Sequence, residues 1–104
     1  MICYLKTDYK CWYDDLSVFI PNVITPNGDL NNEIFKPVIN NPVDQFEGII
    51  FNRWGGEVAR FDINGWDGSN ANGVKVSSGV YAYVISLVFN EKYYQYHGSL
   101  TVIY

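Results

Sequence analysis

Four side chains that carry ligating oxygens alternate along one short stretch: Asn27, Asp29, Asn31 and Glu33. Oxygens at every second position open a calcium loop, because Ca²⁺ gathers roughly 6–8 of them at about 2.3–2.6 Å. Only Asp29 and Glu33 are carboxylates, and Leu30 stands where a glycine would ease the sharp turn. The other reading is an Asx-turn network in which the side chains satisfy loop amides. Calcium is the one ion these residues suggest, and the chain requires no other cofactor. Cys3 and Cys11 are the only cysteines. They suit either a disulfide across a hairpin in an oxidising compartment or two unpaired thiols. A structural zinc site wants about four Cys or His ligands, and two cysteines with the single His97 fall short.

Catalytic constellations are missing parts. A Ser–His–Asp triad would have to use His97, which sits in a tyrosine-rich segment, and no nucleophile-elbow sequence occurs. Asp14 and Asp15 are adjacent, so on an extended chain they point to opposite faces and cannot share acid–base work. No glycine loop follows a strand and opens a helix to cradle a phosphate. The chain reads as a non-enzyme.

Recognition chemistry is better supplied. Asn52-Arg53-Trp54-Gly55 places together two residue types enriched among interface anchors. Trp54 then serves either as a recognition tip or as a cover for the end of the core. In Trp66-Asp67-Gly68, Trp66 suits a core plug and Asp67 a turn cap. The terminal segment Tyr93–Tyr104 is an edge-strand candidate that could pair with another sheet by β-augmentation. Its candidate recognition positions are Tyr96, Gly98, Val102 and Tyr104.

The elements that must position these residues are short strands. The chain has 104 residues, which suits a single domain. Aromatic residues make up 17% and nine residues are Tyr. With the Val and Ile content, this favours pleated, half-buried surfaces. The net charge of −4 and the scattered Lys and Arg argue against nucleic acid and anionic membranes. No apolar run approaches the ~20 residues that span a bilayer. The opening residues are too soon charged for a signal peptide and read as part of a longer protein.

Residues 1–15 read as an N-terminal linker or extra edge strand, and 16–104 as the domain proper. Strands are expected at 16–21, 33–39, 46–52, 57–61, 80–90 and 93–104, with a turn at Glu91-Lys92. Apolar residues on both faces of 80–90 suggest a central strand covered on both sides, at least in part. Asn64-Gly65, Asp67-Gly68 and Asn72-Gly73 mark turns in an irregular 62–78. No segment holds a helical period. The expected fold is all-β, an antiparallel immunoglobulin-like β-sandwich of about seven strands.

Several blocks occur in a recognisable order. They are Phe19-Ile-Pro-Asn-Val-Ile-Thr-Pro-Asn-Gly-Asp29, Asn32-Glu33-Ile-Phe35, Asn52-Arg-Trp-Gly55, Gly65-Trp-Asp-Gly68, Ser78-Gly-Val-Tyr-Ala-Tyr-Val84 and Gly98-Ser-Leu-Thr-Val102. In order and spacing they resemble the C-terminal domain of gliding-motility-associated proteins, the type B sorting domain of the type IX secretion system. Motif positions matched by the resemblance include Pro26, Asn27, Gly28, Asp29, Asn32, Trp66, Asp67, Gly68, Gly79 and Tyr81. Leu30 and Glu33 depart from the pattern, where the family carries Gly and Asp. The resemblance implies an address label. An outer-membrane translocon and an associated outer-membrane protein would read it, and a covalently attached N-terminal passenger would be exported through the periplasm to the outer-membrane surface or the medium. The alternatives are a carbohydrate-binding module, with Trp12, Trp54 and Trp66 as stacking platforms, and a structural spacer of a surface adhesin.

Overall fold

The computed structural model describes residues 16–26, 28 and 33–104 in full, and residues 5–6 and 9–10 by their backbone. The described residues contain no helix, and therefore none long and apolar enough to cross a membrane. The strands are β1 (Leu5–Lys6), β2 (Tyr9–Lys10), β3 (Val18–Phe19), β4 (Val23–Ile24), β5 (Val38–Ile39), β6 (Gln45–Phe51), β7 (Glu57–Phe61), β8 (Gly79–Phe89) and β9 (Lys92–Val102). β1 and β2 pair with each other. Otherwise the expectation of a linker or edge strand over 1–15 falls outside the described residues. So do Cys3, Cys11 and Trp12.

β8 and β9 form the spine, a hairpin of two 11-residue strands. Branched and aromatic side chains at alternate positions make it extended. Asn90 and Glu91 both take positive φ, 55° and 67°, the mirror-type turn whose twist matches the flanking strands. Lys92 already pairs with Phe89, so the turn sits one residue earlier than Glu91-Lys92. Asn at the first turn position tolerates left-handed backbone, which moves the reversal toward it.

β6 pairs with the other edge of β8, and β7 adds to β6 with a register shift between Ile50 and Phe51. β4 completes a five-stranded sheet of order β4-β9-β8-β6-β7, and β3 with β5 makes a second, two-stranded sheet. The expected all-β sandwich is present, with one departure from antiparallel pairing: β4 runs parallel to β9. β4 lies just past the expected 16–21 strand, of which only Val18–Phe19 forms ladder. Pro21 offers no N–H, and the chain leaves the small sheet after β3 and re-enters the large one as β4. The expected 33–39 strand is also shorter. It contracts to β5 and an isolated bridge between Phe35 and Trp66, with Pro37 interrupting the ladder.

The core lies between the layers. Phe35, Ile50, Ile85 and Leu100 are fully buried. The Phe35 ring meets Tyr83 at 5.2 Å and Phe61 at 5.7 Å between centroids. In β8, Ile85 and Leu87 point inward while Val80 on the opposite face is 57% exposed. The strand is therefore covered on one face and partly on the other, where Val84, Ser86 and Val88 are half-buried. The second layer sits on one side of the large sheet, and the other side is half-buried to exposed.

Candidate recognition site

Two short segments close the open side of the core. Phe35 and Trp66 exchange backbone bonds, Phe35 N–H to Trp66 O at 2.7 Å and Trp66 N–H to Phe35 O at 2.9 Å. The Trp66 indole Nε1–H donates to Ser69 O at 2.7 Å, and its ring lies edge-on to Tyr81 at 6.2 Å. Asp67 Oδ1 accepts the Ser69 N–H at 3.0 Å. Trp66 is 3% exposed, so no sugar ring can stack on it.

Trp54 is the opposite case. It sits on the β6–β7 turn and is 78% exposed. It does not cover the end of the core, which Trp66 and Phe35 already close. Several bonds hold its turn. Asn52 Oδ1 accepts the N–H groups of Trp54 (3.0 Å) and Gly56 (2.8 Å). Asn52 N–H donates to Gly56 O, and Gly55 N–H donates to Asn52 O. Gly55 has φ +84°, a backbone that a side chain would strain. The Arg53 guanidinium lies 4.7 Å from the Trp54 ring centroid, and no ion pair is formed by Arg53 among the described residues. Asn52 is the organiser of this tip. Sequence reading assigned it no role, although an amide beside a glycine turn is the residue type that caps one.

The strand-borne candidates lie elsewhere. Val102 is buried in the core at 1% exposure, beside Ile24. Tyr96 is half-buried on the core-facing side of β9. Gly98 lies under the Tyr83 ring: a Cβ there would stand 2.7 Å from the Tyr83 hydroxyl. Tyr104 reaches back and donates its hydroxyl to Val76 O. Tyr81 likewise donates to Ser77 O at 2.7 Å. Arg53 and Trp54 are thus adjacent and exposed, whereas Tyr96, Gly98, Val102 and Tyr104 follow the length of the last strand and its packing.

Of the motif positions, Pro26 and Gly68 are buried, Gly28 is exposed and Gly79 opens β8. Asn27, Asp29, Asn31 and Asn32 lie outside the described residues, so the expected calcium loop is represented only by Glu33. Among the described residues no group of three or more acidic, His or Cys side chains gathers as a metal site. The carboxylates beside the hollow under Pro37, Val38 and Ile63 are occupied in turns. Asp44 Oδ2 accepts the Asn90 N–H, and Asp62 Oδ1 accepts the Asn64 N–H at 2.9 Å.

The outer face of the large sheet carries one charged cluster. Arg60 Nη1 bonds Glu47 at 2.6 Å, and its Nε bonds Glu57 at 2.9 Å. The Arg60 hydrogen bonds hold the Glu57 carboxyl below its ordinary value; burial opposes them in part, and the Arg60 charge adds a lesser lowering. Burial raises the Tyr83 phenol above its ordinary value.

The family model of the CHU_C type IX secretion signal domain matches residues 18–102. No curated protein matches the chain. Among solved structures, one described as PorZ, an essential bacterial surface component of the type IX secretion system of Porphyromonas gingivalis, is similar at 19% identity and a TM-score of 0.48. The similarity covers 88% of this chain and 12% of that one. By the family match over most of its length, the chain belongs to the type IX secretion signal domains, sorting signals that direct export through that system to the cell surface or beyond.

Proposed function

We propose that this domain is a non-catalytic export label read by protein–protein contact, with the Arg53–Trp54 tip as the exposed anchor. One observation carries the reading: a β6–β7 turn closed by four hydrogen bonds holds out an indole that is 78% exposed. An exposed Trp on a rigid turn costs solubility unless a partner covers it, and Trp and Arg dominate interface hot spots. Tyr96, Gly98, Val102 and Tyr104 keep the terminal strand in register behind that surface. The readers are the outer-membrane translocon and its associated outer-membrane protein, and the cargo is a passenger joined ahead of the domain. The exported product crosses the periplasm and ends at the outer-membrane surface or in the medium. No cofactor takes part. A sugar-binding role is less well served, because Trp66 is buried and Arg53 covers one side of Trp54.

The test is reporter export. The 104-residue chain is fused behind a fluorescent protein with a signal peptide and produced in a gliding bacterium with and without a working type IX system. Release or surface display in the competent strain alone supports the proposal. Periplasmic retention in both strains, with the outer-membrane partner supplied, overturns it.

A further inference from the structure

β9 is hydrogen-bonded along only part of its outer edge. The pairing from Phe89↔Lys92 to Gly79↔Val102 runs without a bulge, so even-numbered residues of β9 turn their N–H and C=O groups toward β8. Odd-numbered residues turn theirs away. Thr101 and Ile103 show this directly, donating outward to Asn22 O (2.9 Å) and Ile24 O (3.0 Å) on the β4 side. β4 is only two residues long and begins at Val23, opposite Thr101. Pro21, just ahead of it, has no N–H to extend the ladder. The outward groups of Tyr93, Gln95 and His97 therefore meet no neighbouring strand among the described residues.

Proteins usually blunt such an edge with a bulge, a proline or a charge. From Tyr93 to Ser99 there is no proline, lysine or carboxylate, and the register is regular. The stretch Tyr93-Tyr94-Gln95-Tyr96-His97 also reads nearly the same in both directions about Gln95. A two-fold antiparallel contact requires that property, because each residue faces its mirror position in the partner.

We infer that the open edge of β9 pairs antiparallel with the same edge of a second copy of this chain, with the two-fold axis at Gln95. In this register Tyr93 faces His97 of the second copy, Gln95 faces Gln95, and Tyr94 faces Tyr96. The outward groups exchange about six backbone hydrogen bonds. Aromatic pairs directly across antiparallel strands are favourable, and nothing charged is set against its like. The outer row is already ordered: Gln95 Nε2–H donates to the Tyr93 hydroxyl at 3.2 Å, which donates to Ser86 Oγ at 3.1 Å. A register centred one residue further would set the partner's Glu91 against Thr101, the position that Val23 already occupies, so the Gln95 register is the one the edge admits. The contact is short of the roughly 1,200 Å² of a stable interface, and the net charge of −4 on each copy opposes it. The dimer is accordingly weak and concentration-dependent. Export and self-association are separate properties, and each is read without the other.

The test uses the 104-residue chain in sedimentation velocity from low-micromolar to millimolar concentration. Gln95→Glu and Gln95→Lys each set like charges against each other at the two-fold axis. Gln95 is exposed, so both variants should melt as the parent does. The parent should associate as concentration rises. Either variant alone should associate at least tenfold more weakly, since like charges in a contact are costly, and an equimolar mixture of the two should recover association. A parent that stays monomeric at millimolar concentration overturns the inference. So does a dimer that both variants keep when alone, which would place the contact on another surface.

Discussion

Arg53 and Trp54 are stacked on one another outside the core, the guanidinium carbon 4.7 Å from the indole centroid. Each side chain limits the rotamers of the other, and an exposed contact of this kind is worth about 0.5–1 kcal/mol. Less freedom is then left to lose when a partner covers the pair. The stack makes two neighbours in sequence act as one preformed feature.

Trp54→Ala should separate recognition from stability. The side chain is outside the core, so unfolding free energy should change by no more than about 0.5 kcal/mol, while reporter export falls sharply. Trp66→Ala should do the reverse first. Emptying that buried site should cost about 3–5 kcal/mol, measured by denaturant unfolding.

Asn52→Ala removes the acceptor of two amide bonds on the β6–β7 turn. The expected loss is about 1–3 kcal/mol, with export reduced less than by loss of the indole. Asn52→Asp keeps the accepting oxygen and should restore most of the stability. Equal losses for both variants would show that the amide serves the turn in another way.

Gly48→Ala should be among the most damaging small substitutions. A Cβ there would stand 2.1 Å from the tip of the Phe61 ring, and overpacking a core commonly costs about 1–3 kcal/mol. Gly98→Ala meets the Tyr83 hydroxyl at 2.7 Å, on a ring that is half-buried where Phe61 is buried. It should cost less. Thermal melts of the two variants rank them.

Stability should fall at both ends of the pH scale. Glu57 has its folded pKa depressed below the ordinary 4.5, first by the Arg60 hydrogen bonds. Its contribution is present above that value and lost as pH falls through the folded one. Glu57→Gln should flatten the acid slope slightly, because the pair is exposed. Tyr83 has its folded pKa raised above the ordinary 10 by burial. Its contribution is complete below 10 and lost as pH rises through the folded value, so Tyr83→Phe should reduce the alkaline slope. Melting temperature against pH checks both.

Chelation should leave the melt unchanged, since the proposed label needs no cofactor. Differential scanning fluorimetry with EDTA and with added calcium tests this. A calcium-dependent rise in melting temperature that Asp29→Asn removes would assign ion binding to the 27–33 loop.

Period-two alternation made most of the large sheet legible, because β6, β7, β8 and β9 each carry apolar residues to one face and turn residues at their ends. Proline placed the breaks less visibly. Pro21 ends the expected 16–21 strand, and only the packing shows that the chain re-enters the large sheet just beyond it. The parallel pairing of β4 with β9 left no local signal, because two-residue strands have no period. The tip was half legible: Arg53 and Trp54 are conspicuous by type. Whether Trp54 or Trp66 fills the core depended on which loop reaches Phe35, a contact between distant segments. The terminal segment was legible as an edge-strand candidate, but how much of β9 stays open was not, since that depends on where β4 stops.

The parallel pair also sets an order of events. Val23 and Thr101 stand at nearly opposite ends of the described chain, and bringing distant segments together is the slow part of folding. Ile24 gains its cover only when the end of β9 arrives beside it. Until both segments are present the large sheet lacks its β4 edge and Ile24 stays uncovered, so the sheet is complete only when nearly the whole domain is there to fold.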